Sequence, residues 1–328
     1  MYGNIQRGDA YIERLSDFIR REYGISAISV YPANRGFYGE TWKLSAKGRD
    51  YFIKLVYPAE HRGVYESSFP VIDRINHHGI DFISRIVKTV RGKLSAWFDG
   101  AVLGVFDWIE GESRQDESTK IKEYQMLAKV YTVPAEGLNI RREDFSAGGA
   151  ELFFTQYEKL KGDPSDKTAA RLIELFEQNR EKIEHRAKRL RYFSNLCKTD
   201  TSHFYITHGD AGGNVIVSPN SSLPAPNACD TKYHLVDWDT PIHAPPERDA
   251  WFCMSWAWAM DAFHNALRQN GVNYILRQER LAYYCYHMFF FYLNAYLDRF
   301  THTGITQGVE EYMDCWIEES FQFADTIQ

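Results

Sequence analysis

Residues 208–214 read HGDAGGN and lie between the apolar stretches FYITH and VIV. The chain returns with LVDWD, residues 235–239, whose first aspartate, Asp237, lies 23 residues after Asn214. Two short apolar frames therefore carry three carboxylates, Asp210, Asp237 and Asp239, and the amide of Asn214. Hard oxygen atoms of this kind hold magnesium, and a carboxylate beside a hydroxyl takes or orients its proton. Phosphoryl transfer from a nucleotide needs both, with a positive group on the phosphates. On those types, Asp210 is the candidate for the hydroxyl proton, and Asn214 and Asp237 for the metal. Lys54 is the candidate for the positive group: in YFIKLV, period two puts it on one strand face with Phe52 and Val56. A lysine facing that way needs an anionic partner. Glu66, on the following helix, can provide one or can be an ordinary solvated helix charge.

Plainer readings stand beside these. An aspartate followed by Gly-Gly is usually a turn former. His208 reads as a brace for the loop backbone, Asp249 as a structural carboxylate, and Asp239 as either a second metal contact or a turn residue. A two-metal hydrolase built on His208, Asp210, Asp237, Asp239 and His243 is a further option, although it gives Lys54 no task. A nucleotide-binding module without turnover is another.

These side chains need a scaffold, and the chain offers two kinds. Ile12, Leu15, Phe18 and Ile19 recur with a helical period, which predicts a surface helix ending near Gly24. Short β-rich runs follow, ISAISVYPA, TWKLSA and DYFIKLVYP, with turns RGFYGE at 35–40 and KGRD at 47–50 between them. That is the spacing of an antiparallel meander. YESSFPVIDRINHHG reads as a helix, and SRIVKTV and AVLGVFDWI as two more strands. From Glu112 onward helical patterns dominate, among them KIKEYQMLAKVYTV, ELFFTQYEKLKG and one stretch over 167–197. The β-rich interruption around HGD and DWD encloses SPNSSLPAPNACDTK, which reads as a long exposed hairpin loop. The chain is thus α+β, with a small antiparallel β-sheet lobe holding one helix over 1–110 and a larger, mainly helical lobe over 111–328.

Composition narrows the function classes. The chain of 328 residues, 44% hydrophobic and 15% aromatic, is globular. A net charge of -6 gives no basic footprint, which disfavours nucleic acid and mildly favours cationic ligands. The first 24 residues lack the apolar core of a signal peptide. LAYYCYHMFFFYLNAYL at 281–297 is interrupted by His287 and Asn294, which predicts a buried helix and no membrane span. Five cysteines form no CxxC pair, as expected of reduced thiols in a cytoplasmic protein. Glu279, Tyr283 and His287 recur at four-residue spacing on one helix face. Acids and aromatic faces attract cations, so the expected acceptor is a small hydroxylated molecule carrying an amine. The plainer reading is that this face packs against other helices. The oligomeric state stays open.

A β-rich lobe with a strand lysine, a VFDWIEG hinge, an HGD…N loop and a DWD segment, in that order over nearly the whole chain, resembles the aminoglycoside phosphotransferase and choline kinase family. APPERDAWF and LAYYCYHM are most similar to the spectinomycin phosphotransferase branch. The resemblance implies a protein-kinase-like fold, ATP or GTP as phosphoryl donor with Mg2+, and a small-molecule alcohol as acceptor. It also implies Asp210 as the catalytic aspartate, Asp237 as the metal-binding aspartate and the adenine against the backbone of 107–109, at Asp107 and Ile109. RGFYGE lacks the full glycine pattern of protein kinases, so phosphate contacts there would come from backbone amides around Gly36 to Gly39. One departure is in the loop. The pattern has four residues between aspartate and asparagine, and this chain has three, Ala211, Gly212 and Gly213.

Overall fold

The computed structural model describes residues 7–33, 39–162, 167–219, 231–304, 306, 308–315 and 318–327. Helix α1 (Asp9–Tyr23) buries Tyr11, Leu15, Ile19 and Tyr23 along one stripe, and Gly24 stops it in the left-handed conformation at φ 68°. Strands β1 (Ala27–Pro32), β2 (Gly39–Ala46), β3 (Arg49–Val56), β4 (Ala96–Phe98) and β5 (Ala101–Asp107) form one antiparallel sheet in the order β1-β2-β3-β5-β4. The α1 stripe joins Ile53 and Leu55 of β3 and Leu103 and Val105 of β5 in one core. Alternation then turns Phe52 and Lys54 to the opposite side of the sheet. Helix α2 (Ala59–His77) follows β3 and buries Phe69, Ile72 and Ile75.

Two local outcomes differ from the sequence reading. SRIVKTV forms only a single bridge, Ile86 to Phe106, beside β5. The Val87 amide donates to Val105 O at 2.8 Å, and then the chain turns back at Thr89, whose amide donates to Lys93 O. The pairing is too short for a strand. β4 is a strand beyond those the sequence reading names, although its turn carries a signal. Asp99 and Gly100, at φ 47° and 82°, make a two-residue turn between Phe98 and Ala101, and Asp-Gly suits that geometry.

The chain divides into two compact units, residues 1–141 with 208–242, and residues 142–207 with 243–328. The first unit continues through β6 (Glu112–Ser113) and α3 (Glu117–Val130). The second opens with α4 (Gly148–Lys161), α5 (Lys167–Gln178), α6 (Arg180–Cys197) and β7 (Tyr205–Thr207). The 167–197 stretch is therefore two helices. They break at Asn179, where the side chain bonds back to Leu175 O at 2.9 Å. The chain then returns to the first unit for β8 (Val215–Pro219) and β9 (Thr231–Leu235), an antiparallel hairpin with β6 on its outer edge. The ends of the expected hairpin loop, SPNSSLPAPNACDTK, are strand instead, Ser218 paired with Lys232 and Pro219 with Thr231, and 220–230 lie outside the described residues.

The second unit is completed by β10 (Ile242–Ala244), α7 (Glu247–Ala250), α8 (Ala257–Gln269), α9 (Gln278–Thr303), α10 (Val309–Cys315) and α11 (Glu318–Thr326). Helix α9 is 26 residues long and packs against α4, α6 and α11. Its tyrosine hydroxyls are satisfied inside the unit: Tyr283 donates to Ser146 O at 2.9 Å and Tyr284 to Glu143 Oε2 at 2.9 Å. No helix among the described residues is long and apolar enough to cross a membrane. Cys197, Cys253 and Cys285 are buried thiols.

Candidate active site

Within the first unit, Lys54 leaves the middle of β3 on the face away from the α1 core and is 5% exposed. A buried ammonium must find counter-charge. Its Nζ bonds Asp239 Oδ2 and lies 3.3 Å from Asp237 Oδ1. Burial acts against the lysine charge, but the charges of Asp239 and then Asp237 outweigh it, and its pKa is raised. The two carboxylates diverge. Burial acts upward on Asp237, yet Lys54 holds its pKa below the ordinary value. Asp239 is pushed up by burial, with Lys54 opposing the shift and the Asp237 charge adding to it. Asp237 also adopts φ 63°, the left-handed region that non-glycine residues rarely occupy. Strain of this kind clusters at functional sites.

The HGD loop enters the same unit between β7 and β8. Gly209 has φ 84°, and a Cβ there would meet Thr240 O at 2.2 Å, so only glycine lets the loop pass this close. His208 is fully buried with both ring nitrogens engaged. Nε2 donates to Val236 O at 2.8 Å, and Nδ1 accepts the Asp210 amide at 3.3 Å. That bonding makes the ring a brace between the loop and the residue preceding Asp237. Asp210 is exposed. The Asn214 side chain donates to Asp210 O at 2.7 Å, and the Asn214 carbonyl accepts the Val236 amide at 2.9 Å. Asn214 is thereby tied to both Asp210 and the strand end that leads to Asp237.

A cavity of about 330 Å3 runs between the Lys54 cluster and the β5 end. Phe52, Ile72, Phe106 and Ile216 supply apolar walls, Asp237 and Asp239 line one end, and Asp107 to Ile109 line the other. The Asp107 amide donates to Arg85 O at 3.0 Å and the Trp108 amide to Asp50 O at 3.1 Å. The Asp107 carbonyl accepts Ser84 Oγ at 2.6 Å, and a carbonyl oxygen has a second lone pair. The Asp107 carboxylate is turned to Arg49 and Arg85. A larger cavity of about 500 Å3 lies in the second unit around Asp200, Arg277 and Arg280, whose charges satisfy one another. Volume therefore does not select the site, whereas the converging lysine and carboxylates do.

The structure brings Lys54, Asp237 and Asp239 together and links Asp210, Asn214 and His208 through backbone bonds. Glu66 is elsewhere: it accepts Ser95 Oγ at 2.8 Å, and Lys54 has taken the DWD carboxylates as partners. Gly39 opens β2 opposite Val56, and Gly36 lies outside the described residues. Glu123 is a site residue beyond those named from the sequence: a carboxylate on α3 that is 1% exposed, it accepts the Gly212 amide at 2.9 Å and the Gly213 amide at 3.4 Å. A signal for it existed. Glu123 falls three and four residues before Met126 and Leu127 and so sits on the apolar stripe. Ser84, beside the Asp107 carbonyl, carried no comparable signal.

Two other expectations meet the geometry differently. A two-metal site needs imidazoles with a nitrogen to offer, but His208 is engaged at both, and so is His243, with Arg142 Nη1 at 3.0 Å and Phe204 O at 3.1 Å. Among the described residues no group of three or more His, Cys, Asp or Glu could hold a metal ion. Magnesium differs, being held by one or two carboxylates with substrate phosphates completing the shell. Asp237, half-open to solvent at 47% of its side chain, fits that requirement together with Asn214. The Glu279, Tyr283 and His287 face does not open as a cation surface. Tyr283 is fully buried and stacked near His287, and Glu279 pairs with Arg277 Nε at 3.0 Å. Packing around Tyr283 closes the middle of the face that the spacing suggested, while Glu279 and His287 at its ends stay partly exposed.

Among solved structures, spectinomycin phosphotransferase in complex with ADP and spectinomycin superposes with a TM-score of 0.73 at 20% identity, over 95% of this chain and 98% of that one. The chain has the fold of the aminoglycoside phosphotransferases. A putative aminoglycoside phosphotransferase from Ralstonia eutropha JMP134 gives a TM-score of 0.60 at 14% identity, over 98% and 99% of the two chains. Amicoumacin kinase in complex with AMP-PNP, Ca2+ and Ami gives 0.56 at 15% identity, over 96% and 93%. No sequence-family model and no curated protein sequence matches the chain. The kinase-like fold expected from the motifs is thus the one observed.

Proposed function

We propose that this protein is a small-molecule kinase that moves the γ-phosphoryl group of ATP or GTP to a hydroxyl of a small, amine-bearing molecule. The observation that carries this reading is the buried Lys54 shared by Asp237 and Asp239 at one end of an apolar slot, with backbone at the other. A nucleotide has the same polarity along its length: a flat apolar base with a hydrogen-bonding edge, then phosphates. The nucleotides and small antibiotics in the similar solved structures support it.

In this mechanism the base lies between Phe52 and Ile216 with its edge toward the Asp107 carbonyl and Ile109. Lys54 neutralises phosphate oxygens, helped by amides around Gly39. Asp237 and Asn214 would hold magnesium, which would supply positive charge to the phosphates. Asp210, exposed at the loop, orients the acceptor hydroxyl. The acceptor oxygen forms a bond to the γ-phosphorus as the bridge to the β-phosphate breaks, the hydroxyl proton goes to Asp210, and the nucleoside diphosphate leaves. Nucleic acid and membrane have no part in it, and the reaction is one of the cytoplasm.

The test is nucleotide turnover with Mg2+ over a panel of neutral sugars, acidic metabolites and amino-bearing polyols, aminoglycosides and spectinomycin included. Phosphorylation of amine-bearing alcohols is the expected result. Turnover of only neutral or anionic alcohols would overturn the amine, and nucleotide binding with no transfer to any alcohol would overturn the kinase.

A further inference from the structure

The loop that holds Asp210 and Asn214 is one residue shorter than the pattern it resembles, and two of its three intervening residues are glycines. Gly212 and Gly213 have φ 118° and 145°, conformations in which glycine has no steric guide. A short, unguided segment must be held from outside if Asn214 is to keep one position. The structure supplies one such hold. Glu123 Oε1 accepts both glycine amides, at 2.9 Å and 3.4 Å. Its carboxylate is acceptor-only and almost fully buried, so it has a strong requirement for donors and little water to supply them.

The platform beneath Glu123 is itself fixed. Asp116 caps α3, accepting the Thr119 amide at 3.1 Å and the Thr119 hydroxyl at 3.0 Å. The segment just before that cap also touches the loop, since a Cβ on Gly213 would meet Gln115 Nε2 at 2.7 Å. Immediately after the glycines, Asn214 bonds back to Asp210 O and receives the Val236 amide. We propose that Glu123 is the positioning residue of this loop: its buried carboxylate fixes the Gly212 and Gly213 amides and thereby sets Asn214 against Asp210 and Asp237. Glu123 touches no reacting atom. Its effect on nucleotide chemistry rests on the kinase reading above, whereas its hold on the loop does not.

The experiment uses the full chain with two readouts. The first is hydrogen exchange of the peptide spanning 208–214 without ligand, which judges the hold alone. The second is calorimetric affinity for AMP-PNP, with excess Mg2+ and with the metal chelated. In Glu123→Ala, loop amide exchange rises about tenfold or more. The gain in affinity on adding Mg2+ falls roughly 10- to 100-fold, the range for removing a partner that orients a metal ligand. Metal-free affinity stays at the wild-type level, which a general loss of structure would not allow. Glu123→Gln keeps an acceptor oxygen and recovers most of both readouts. If the alanine variant does not fold, Glu123→Asp withdraws the carboxylate by one methylene and carries the same expectations. A folded Ala or Asp variant with wild-type exchange overturns the positioning role. Wild-type protein that binds no AMP-PNP with Mg2+ overturns the kinase reading instead, leaving the exchange result to stand by itself.

Discussion

Replacing Lys54 by methionine keeps an unbranched side chain, one atom shorter, and removes its charge, leaving Asp237 and Asp239 to face each other. The ammonium lies 3.3 Å from Asp237 Oδ1. At an effective dielectric near 20, a unit-charge pair at that range is worth roughly 5 kcal/mol. The aspartate side chains are 47% and 32% exposed, so water screens the pair, and the expected net loss is about 1–3 kcal/mol. The loss depends on pH in a definite direction. Asp239 already has a folded pKa above its ordinary 3.8, and without Lys54 it rises further. A carboxyl with a raised folded pKa holds its proton longer when folded than when unfolded, so stability is lost as pH rises through the window between the two values. The Lys54→Met deficit is therefore larger at pH 8 than at pH 5. Magnesium should offset it, because two carboxylates without their lysine gain from a shared divalent cation. The assay is thermal unfolding of both proteins at pH 5 and 8, with and without MgCl2 and without nucleotide. Equal stabilisation of both by magnesium, or a larger deficit at pH 5, would refute the reasoning.

Asp210→Asn is expected to lower turnover about 10²–10⁴-fold with nucleotide affinity nearly intact; steady-state kinetics beside calorimetry checks it, and near-normal turnover sinks the role. Asp237→Ala should instead weaken Mg2+-nucleotide binding and turnover together, so unchanged metal-dependent affinity counts against that assignment. Gly209→Ala puts a Cβ 2.2 Å from Thr240 O at φ 84°, and chemical denaturation should show a loss of at least about 1–3 kcal/mol; a neutral substitution would mean the loop passes Thr240 at a greater distance. Glu247, fully buried in the second unit, is pushed up by burial from 4.5 to about 7. Its burden on stability grows from pH 4.5 to 7 and amounts to on the order of 1–3 kcal/mol. The melting temperature of Glu247→Gln should fall less than that of the wild type over that range, and parallel profiles would exclude the shift.

What the sequence determined by itself was local. Period two in YFIKLV placed Lys54 opposite Ile53 and Leu55, and the apolar stripe and Gly24 stop of α1 followed from helical periodicity. The order of strand lysine, HGD…N and DWD pointed to the fold that the solved structures share. The strand face and the helix stripe depend on neighbours within a few residues, where backbone geometry alone sets which side chains line up. The tertiary structure decided who meets whom. Lys54 passed over Glu66, 12 residues away, for carboxylates 183 and 185 residues along the chain. Glu123 reached the Gly212 amide across 89 residues. Helix α9 buried Tyr283 in the middle of the face that could have served cations, the packing that was the plainer of the two readings. Partners at such separations are chosen by how sheet, loop and helix pack and by the need of each buried charge for a counter-group, and no local periodicity encodes either.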